Sequence, residues 1–178
     1  MRHLTTLAAV GWLLALPLLT GQTTAVDDAP SPPAKSIGFE THEGYFVSNK
    51  FEADAAVSFV VITDQPAFDK VFGVAMVMGD RSHRLPRAAF DKNFVVAAIH
   101  RGNALLTYQV TSVTAEAQTL TVRYTTKGTP DANAQFACPL ILSLYKGDYR
   151  SVRFVENGKA VKRLPLAPQG VGPAKPGS

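Results

Sequence analysis

Phe90 to Val113 reads FDKNFVVAAIHRGNALLTYQVTSV, a polar run, Asp91-Lys92-Asn93, followed at once by six apolar residues, Phe94 to Ile99. An unbroken apolar run of this length, ended by His100-Arg101-Gly102-Asn103, fits a strand covered on both faces that then emerges into a turn. Beyond the turn the period changes to two. Leu106, Tyr108 and Val110 alternate with Thr107, Gln109 and Thr111, and after a turn near Ala115 to Gln118, Leu120, Val122 and Tyr124 alternate with Thr121, Arg123 and Thr125. Alternation of this kind marks half-buried strands.

Upstream, VSFVVIT (Val57 to Thr63) is another apolar strand. Asp64-Gln65-Pro66 after it supplies a helix N-cap and a proline suited to a first turn. A short helix over Pro66 to Phe72 would present Phe68, Val71 and Phe72 to a core. Downstream, Lys127 to Phe136 has turn chemistry and PLILSLY (Pro139 to Tyr145) is a further buried strand. In SVRFVENGKAVKRL, Asn157-Gly158 predicts a type I′ hairpin with Glu156 opposite Lys159, Phe154 opposite Val161 and Arg153 opposite Lys162. The expected class is mainly β (α+β): an antiparallel, sandwich-like meander with one short helix and a C-terminal hairpin.

The ends of the chain read differently. Arg2 and His3 precede the apolar run Leu7 to Leu19, and Thr23-Thr24-Ala25 offers a cleavage site, so residues 1–25 are expected to be a secretory signal. Gln22 stands where a lipid-accepting cysteine would be required, which removes the expectation of an anchor. Residues 26–36 and 165–178 are rich in Pro, Gly, Ala and Ser and are expected to be a linker and a tail, with the folded domain at 37–164. The chain is then secreted or periplasmic, with no membrane span in the mature part and an expected monomeric state. Its one cysteine, Cys138, excludes an internal disulfide and reads as a small buried hydrophobe.

A formal charge of +4 over 178 residues, with the basic residues scattered, does not indicate a nucleic-acid partner. Charge gathers in two places. The loop GDRSHRLPR (Gly79 to Arg87) carries Arg81, His83, Arg84 and Arg87, and the C-terminal segment carries Arg150, Arg153, Lys162 and Arg163. These eight are the candidate partner-binding residues, weighed against a solvated face.

Catalytic equipment is not evident. His42-Glu43 lacks the second histidine of a zinc motif, and no HxH or paired-cysteine spacing gathers metal ligands. Asp80, Ser82 and His83 include the residue types of a serine triad but lie within four residues and lack a GxSxG elbow. No cofactor, metal site or catalytic residue is expected.

The order of AFDKNFVVAAIHRG, TYQVTSV, TLTVRY, TPDANAQFACPLILSLYKG and the final hairpin resembles the C-terminal domain of the protease complex subunit PrcB family. The likeness covers Val57 to Gly158 and is carried by Phe90-Asp91, Gly102, Tyr108, Pro130 and Pro139. It implies an exported accessory domain whose partner is a protein, such as an exported protease. Where the family tends to have a Thr-Gly-Gly-Tyr turn, this chain reads Ala104-Leu105-Leu106-Thr107-Tyr108, which removes the glycines' freedom of close backbone approach. The expected function is thus a non-catalytic accessory or binding module. The alternatives are a small-ligand or polysaccharide-binding domain using Tyr108, Tyr124, Tyr145 and Tyr149, and, third, a hydrolase.

Overall fold

The computed structural model describes residues 34–75 and 83–167. The expected signal segment, most of the expected linker and tail, and Asp80, Arg81 and Ser82 lie outside the described residues.

The strand at Phe94 is the centre of the fold. β6 (Asn93–Gly102) pairs antiparallel with β4 (Val57–Ile62) on one side and β9 (Phe136–Tyr145) on the other, and β2 (Phe39–His42) completes the sheet in the order β2-β9-β6-β4. Every residue from Phe94 to Ile99 is at most 1% exposed, and the pleat sends them alternately to two cores. Phe94, Val96 and Ala98 meet Leu140, Leu142 and Leu144 and the second large sheet, while Val95, Ala97 and Ile99 meet Ile141 and a cover of helix and ribbon. The unbroken apolar run therefore reflects cover on both faces, as its sequence implies.

The second sheet has the order β1-β7-β8-β10-β11: β1 (Lys35–Ser36), β7 (Ala104–Glu116), β8 (Thr119–Pro130), β10 (Ser151–Glu156) and β11 (Lys159–Pro165). Its inner face places Val113, Leu120, Val122, Tyr124, Val152 and Phe154 in the core between the sheets. The chain is mainly β, a sandwich of largely antiparallel sheets. One pair departs from the meander: β8 and β10 run parallel. β9 lies between them in sequence but belongs to the first sheet, so the chain leaves the second sheet after β8 and returns to it at β10 running in the same direction.

The cover over the other face of β6 comes from α1 (Gln65–Val71) and a ribbon of β3 (Tyr45–Val47) with β5 (Phe72–Val74). Asp64 Oδ1 accepts the Ala67 N–H at 2.8 Å and Pro66 sits in the first turn, the start that the sequence implies. Phe68, Val71 and Phe72 are 2%, 5% and 3% exposed. A second helix, the single turn α2 (Ala89–Lys92), was not expected. It absorbs the polar run before β6: the Asn93 N–H returns to the Ala89 carbonyl, and the Lys92 carbonyl accepts from Lys146 N–H at 2.8 Å. Order also reaches slightly past 37–164, because Lys35 and Ser36 pair with Ala115 and Thr114 and Leu166 is buried.

The last hairpin corrects a register. Asn157 and Gly158 have φ of 49° and 81° and Glu156 faces Lys159, as a type I′ turn requires. A bulge between Phe154 and Val155 then takes up Val161, so Phe154 faces Lys162 and Arg153 faces Arg163. Val161 is 40% exposed instead of lying on the core face. β11 is an edge strand with one hydrogen-bonded neighbour, and an extra residue is accommodated most easily there.

The β7–β8 hairpin turns on Ala117 and Gln118, both at positive φ (41° and 65°) without a glycine. Ala117→Asn suits that backbone better, while Gln118 keeps its carbonyl bond from Arg150 N–H. The expected outcome is a gain of roughly 0.5–1 kcal/mol in urea unfolding. A loss would contradict the left-handed turn.

Candidate functional site

His100 and Arg101 part company at the end of β6. His100 points between the sheets: its Nε2 lies 3.3 Å from Glu156 Oε2 of β10, and its Nδ1 lies 3.3 Å from the Tyr108 hydroxyl of β7. Tyr108 donates to the Cys138 carbonyl at 2.7 Å. Tyr124 and Thr126 of β8 donate to the two Glu156 oxygens at 3.3 and 3.1 Å. One carboxylate thus gathers side chains from both sheets. Burial is the main reason that the Tyr108 and Tyr124 hydroxyls hold their protons well above the ordinary tyrosine range, with the Glu156 charge adding to it.

A tyrosine that ionises less readily in the fold than in the unfolded chain supplies stability that is intact below about pH 10 and lost as pH rises above it. Unfolding free energies from urea curves measured from pH 8 to 11 should therefore fall above pH 10, by roughly 1.4 kcal/mol per pH unit for each of the two tyrosines. Tyr108→Phe should make the fall shallower, and an unchanged slope would contradict the assignment.

His42 is a further buried titratable group, 6% exposed. Its Nδ1–H donates to the His83 carbonyl at 3.2 Å, so Nε2 accepts the Ser143 hydroxyl at 2.8 Å. Desolvation keeps the ring neutral by lowering its pKa. The polarity is that of a serine activated by a histidine, but Ser143 is 3% exposed in the middle of β9. What the pair does in this position is fasten the edge strand β2 to β9. Among the described residues, no three His, Cys, Asp or Glu side chains gather in metal-binding range. Cys138 is a free, buried thiol, and its sulfur accepts the Leu106 N–H at 3.3 Å.

The eight basic candidates do not form one surface. Arg153 and Arg163 stand opposite each other on the outer face of β10 and β11, and the parallel pairing with β8 brings Arg123 to the same face, opposite Val155. Arg163 donates to Ser151 Oγ at 3.0 and 3.1 Å and to Thr119 Oγ1 at 3.2 Å, while Arg123 donates to Thr114 Oγ1 at 3.3 Å. Hydroxyls lay these guanidiniums along the sheet. Thr107, Gln109, Thr125 and Lys127 extend the polar face, and Glu116 is its one carboxylate among the described strand residues. Lys162 belongs elsewhere, because the bulge turns it to the side of Phe154. Arg150 is exposed just before β10.

Of the other cluster, Arg84 and Arg87 lie beside the helix and ribbon, His83 lies against His42 and Glu43 at the end of β2, and Arg81 is outside the described residues. Arg84 donates to the Ala75 carbonyl at 2.9 Å and lines a crevice with Arg87, Tyr45 and Asp69. The tyrosines do not make a ligand platform: Tyr124 is 1% exposed, Tyr108 and Tyr149 pack against the core, and Tyr145 alone is open. Arg123 and Lys127 are members of the basic face that charge clustering along the sequence missed. Their alternation with Leu120, Val122 and Tyr124 was visible, but their neighbours depend on the β8–β10 pairing. Among the described residues the one ion pair is His100 with Glu156, so no Arg or Lys on this face has a described carboxylate within 4.0 Å. No helix among them is long and apolar enough to cross a membrane.

No family model, curated protein or solved structure matches the chain.

Proposed function

We propose that this protein is an exported, non-catalytic binding module that docks an acidic partner protein on the outer face of β7, β8, β10 and β11. The observation that carries the reading is that Arg123, Arg153 and Arg163 share the outer face of one sheet, Arg153 opposite Arg163 and Arg123 diagonal to Arg153, with Arg123 and Arg163 oriented by threonine and serine hydroxyls and none of the three within 4.0 Å of a described carboxylate. Like charges facing each other across strands weaken a sheet slightly unless an opposite charge is brought to them. The likeness of Val57 to Gly158 to the PrcB domain supports a protein as that partner, an exported protease being the candidate. The burial of Ser143 supports the non-catalytic part of the reading.

Charge steers such an association and salt screens it. The test is an Arg153→Glu, Arg163→Glu double variant compared with the parent in capture from envelope extract, at low and at physiological salt. Both sites are exposed, so the fold should survive. Recovery of the partner should fall by roughly tenfold or more at low salt, with a smaller difference at physiological salt. Equal recovery at both salts removes this face from the reading. Binding on a glycan array that the double variant retains would favour the polysaccharide alternative.

A further inference from the structure

Arg101 lies on the opposite side of β6 from the His100 cluster, and its charge is unusually placed. The guanidinium is half-buried and grips the segment before β4: Nη1 donates to the Ala55 carbonyl at 3.1 Å and to Ser58 Oγ at 2.8 Å, and Nη2 donates to the Phe51 carbonyl at 2.8 Å. A guanidinium has five N–H donors. Three are used, leaving Nε–H and one N–H of Nη2, on the two nitrogens that border one edge of the group. Neither nitrogen is sealed from solvent without a partner. No carboxylate among the described residues lies within 4.0 Å, although Glu52 and Asp54 are exposed on the same segment.

The same side chain lines a cavity of about 530 Å³ between the β3–β4 connection and the start of β9. Its other walls are mixed: Phe46, Val47 and Phe136 are apolar, and Asn49 and Gln135 are amides. Phe46 is 54% exposed, yet its ring is held in place. It lies across Gly73 on the paired strand β5, where a Cβ would come within 2.2 Å of the ring. A cavity of a few hundred cubic ångströms with apolar walls and a few converging polar groups has the size and character of a small-ligand site. Two guanidinium donors along one edge match the two oxygens of a carboxylate.

We infer that this cavity binds a carboxylate attached to an apolar body, with Arg101 holding the carboxylate and Phe46 packing on the body. An inorganic anion would leave the apolar walls unused, and a neutral apolar ligand would leave the guanidinium without a counter-charge. Two sources share the chemistry: a free acid the size of an N-acylated amino acid, and the C-terminal residue of a peptide.

Calorimetric titration of the whole protein tests it with four probes: N-acetylphenylalanine, its amide, a hexapeptide ending in phenylalanine with a free carboxylate, and the same hexapeptide amidated. Saturable binding of at least one acid, at least tenfold tighter than its amide, is expected. Binding of the small acid alone identifies a free acid as the source, and binding of the free-ended hexapeptide identifies a chain end. Arg101→Gln should abolish the preference for acid over amide. Arg101 also ties down the Phe51 to Ala55 segment, so a second variant that leaves this tether intact is needed: Phe46→Ala, at an exposed position, should weaken the acid at least fivefold while the melting curve stays cooperative. Failure of both acids to bind, acid and amide binding alike, or indifference to Phe46→Ala would each overturn the inference. None of these outcomes depends on the basic face of the other sheet.

Discussion

Val96→Asp should abolish the cooperative unfolding transition, leaving a chain that is largely unfolded at neutral pH. Val96 is fully buried, paired with Leu142 on one side and Val61 on the other, and faces the core between the two sheets. The tyrosine hydroxyls in that core are already committed, Tyr108 to the Cys138 carbonyl and Tyr124 to Glu156, and the strand cannot rotate the side chain away without sending Val95 and Ala97 to the wrong face. The cost has two parts, desolvating or protonating the carboxyl and losing the packing of the valine, and together they amount to about 5 kcal/mol or more. A single domain is typically stable by about 5–15 kcal/mol, so the substitution consumes most of the margin. Circular dichroism during a thermal scan is sufficient to check it. A variant that melts with the parent would show that β6 is not the strand shared by the two cores. Val96→Ala, which adds no charge, should cost only about 1–3 kcal/mol and retain a cooperative melt at lower temperature.

How much of this was legible in the sequence depends on which interactions decide each feature. β6 announces itself because burial on both faces requires an apolar residue at every position, and no other arrangement of neighbours relaxes that requirement. Asp64 with Pro66, and Asn157 with Gly158, were equally legible, since a cap and a left-handed turn are made by adjacent residues. β2 was not: FETH has no alternation to mark it, and it is a strand because β9 provides an edge for it. The bulge at Val161 was also hidden, for it changes no residue type and is allowed by the freedom of an edge strand. That single inserted residue moved Lys162 out of the basic face and Arg163 into it. Arg123 joined the face through a parallel pairing that follows from β9 crossing between sheets, which no local pattern encodes. Arg101 was visible only as the end of an apolar run, because its partners Phe51, Ala55 and Ser58 precede it by more than forty residues.

Glu156→Ala should have the second-largest effect, and it tests whether the polar cluster between the sheets contributes to holding them together. The carboxylate accepts from Tyr124 and Thr126 on β8 and lies 3.3 Å from His100 Nε2 on the opposite sheet. Truncation removes one acceptor group and leaves three donors behind, of which the Tyr124 side chain is almost wholly buried. Donors stranded in this way cost about 1–3 kcal/mol each, less where water enters the space vacated by the side chain, giving a net loss of about 3–5 kcal/mol. Glu156→Gln keeps an acceptor oxygen at the same place but only one, and removes the charge, so it should cost about half as much. The two variants therefore separate shape and hydrogen bonding from charge. Tyr124→Phe on top of Glu156→Ala supplies the control: with one stranded donor removed, the double variant should be less destabilised than the sum of the single changes, a coupling of about 1 kcal/mol or more. Strict additivity in urea unfolding would mean that Tyr124 and Glu156 do not interact.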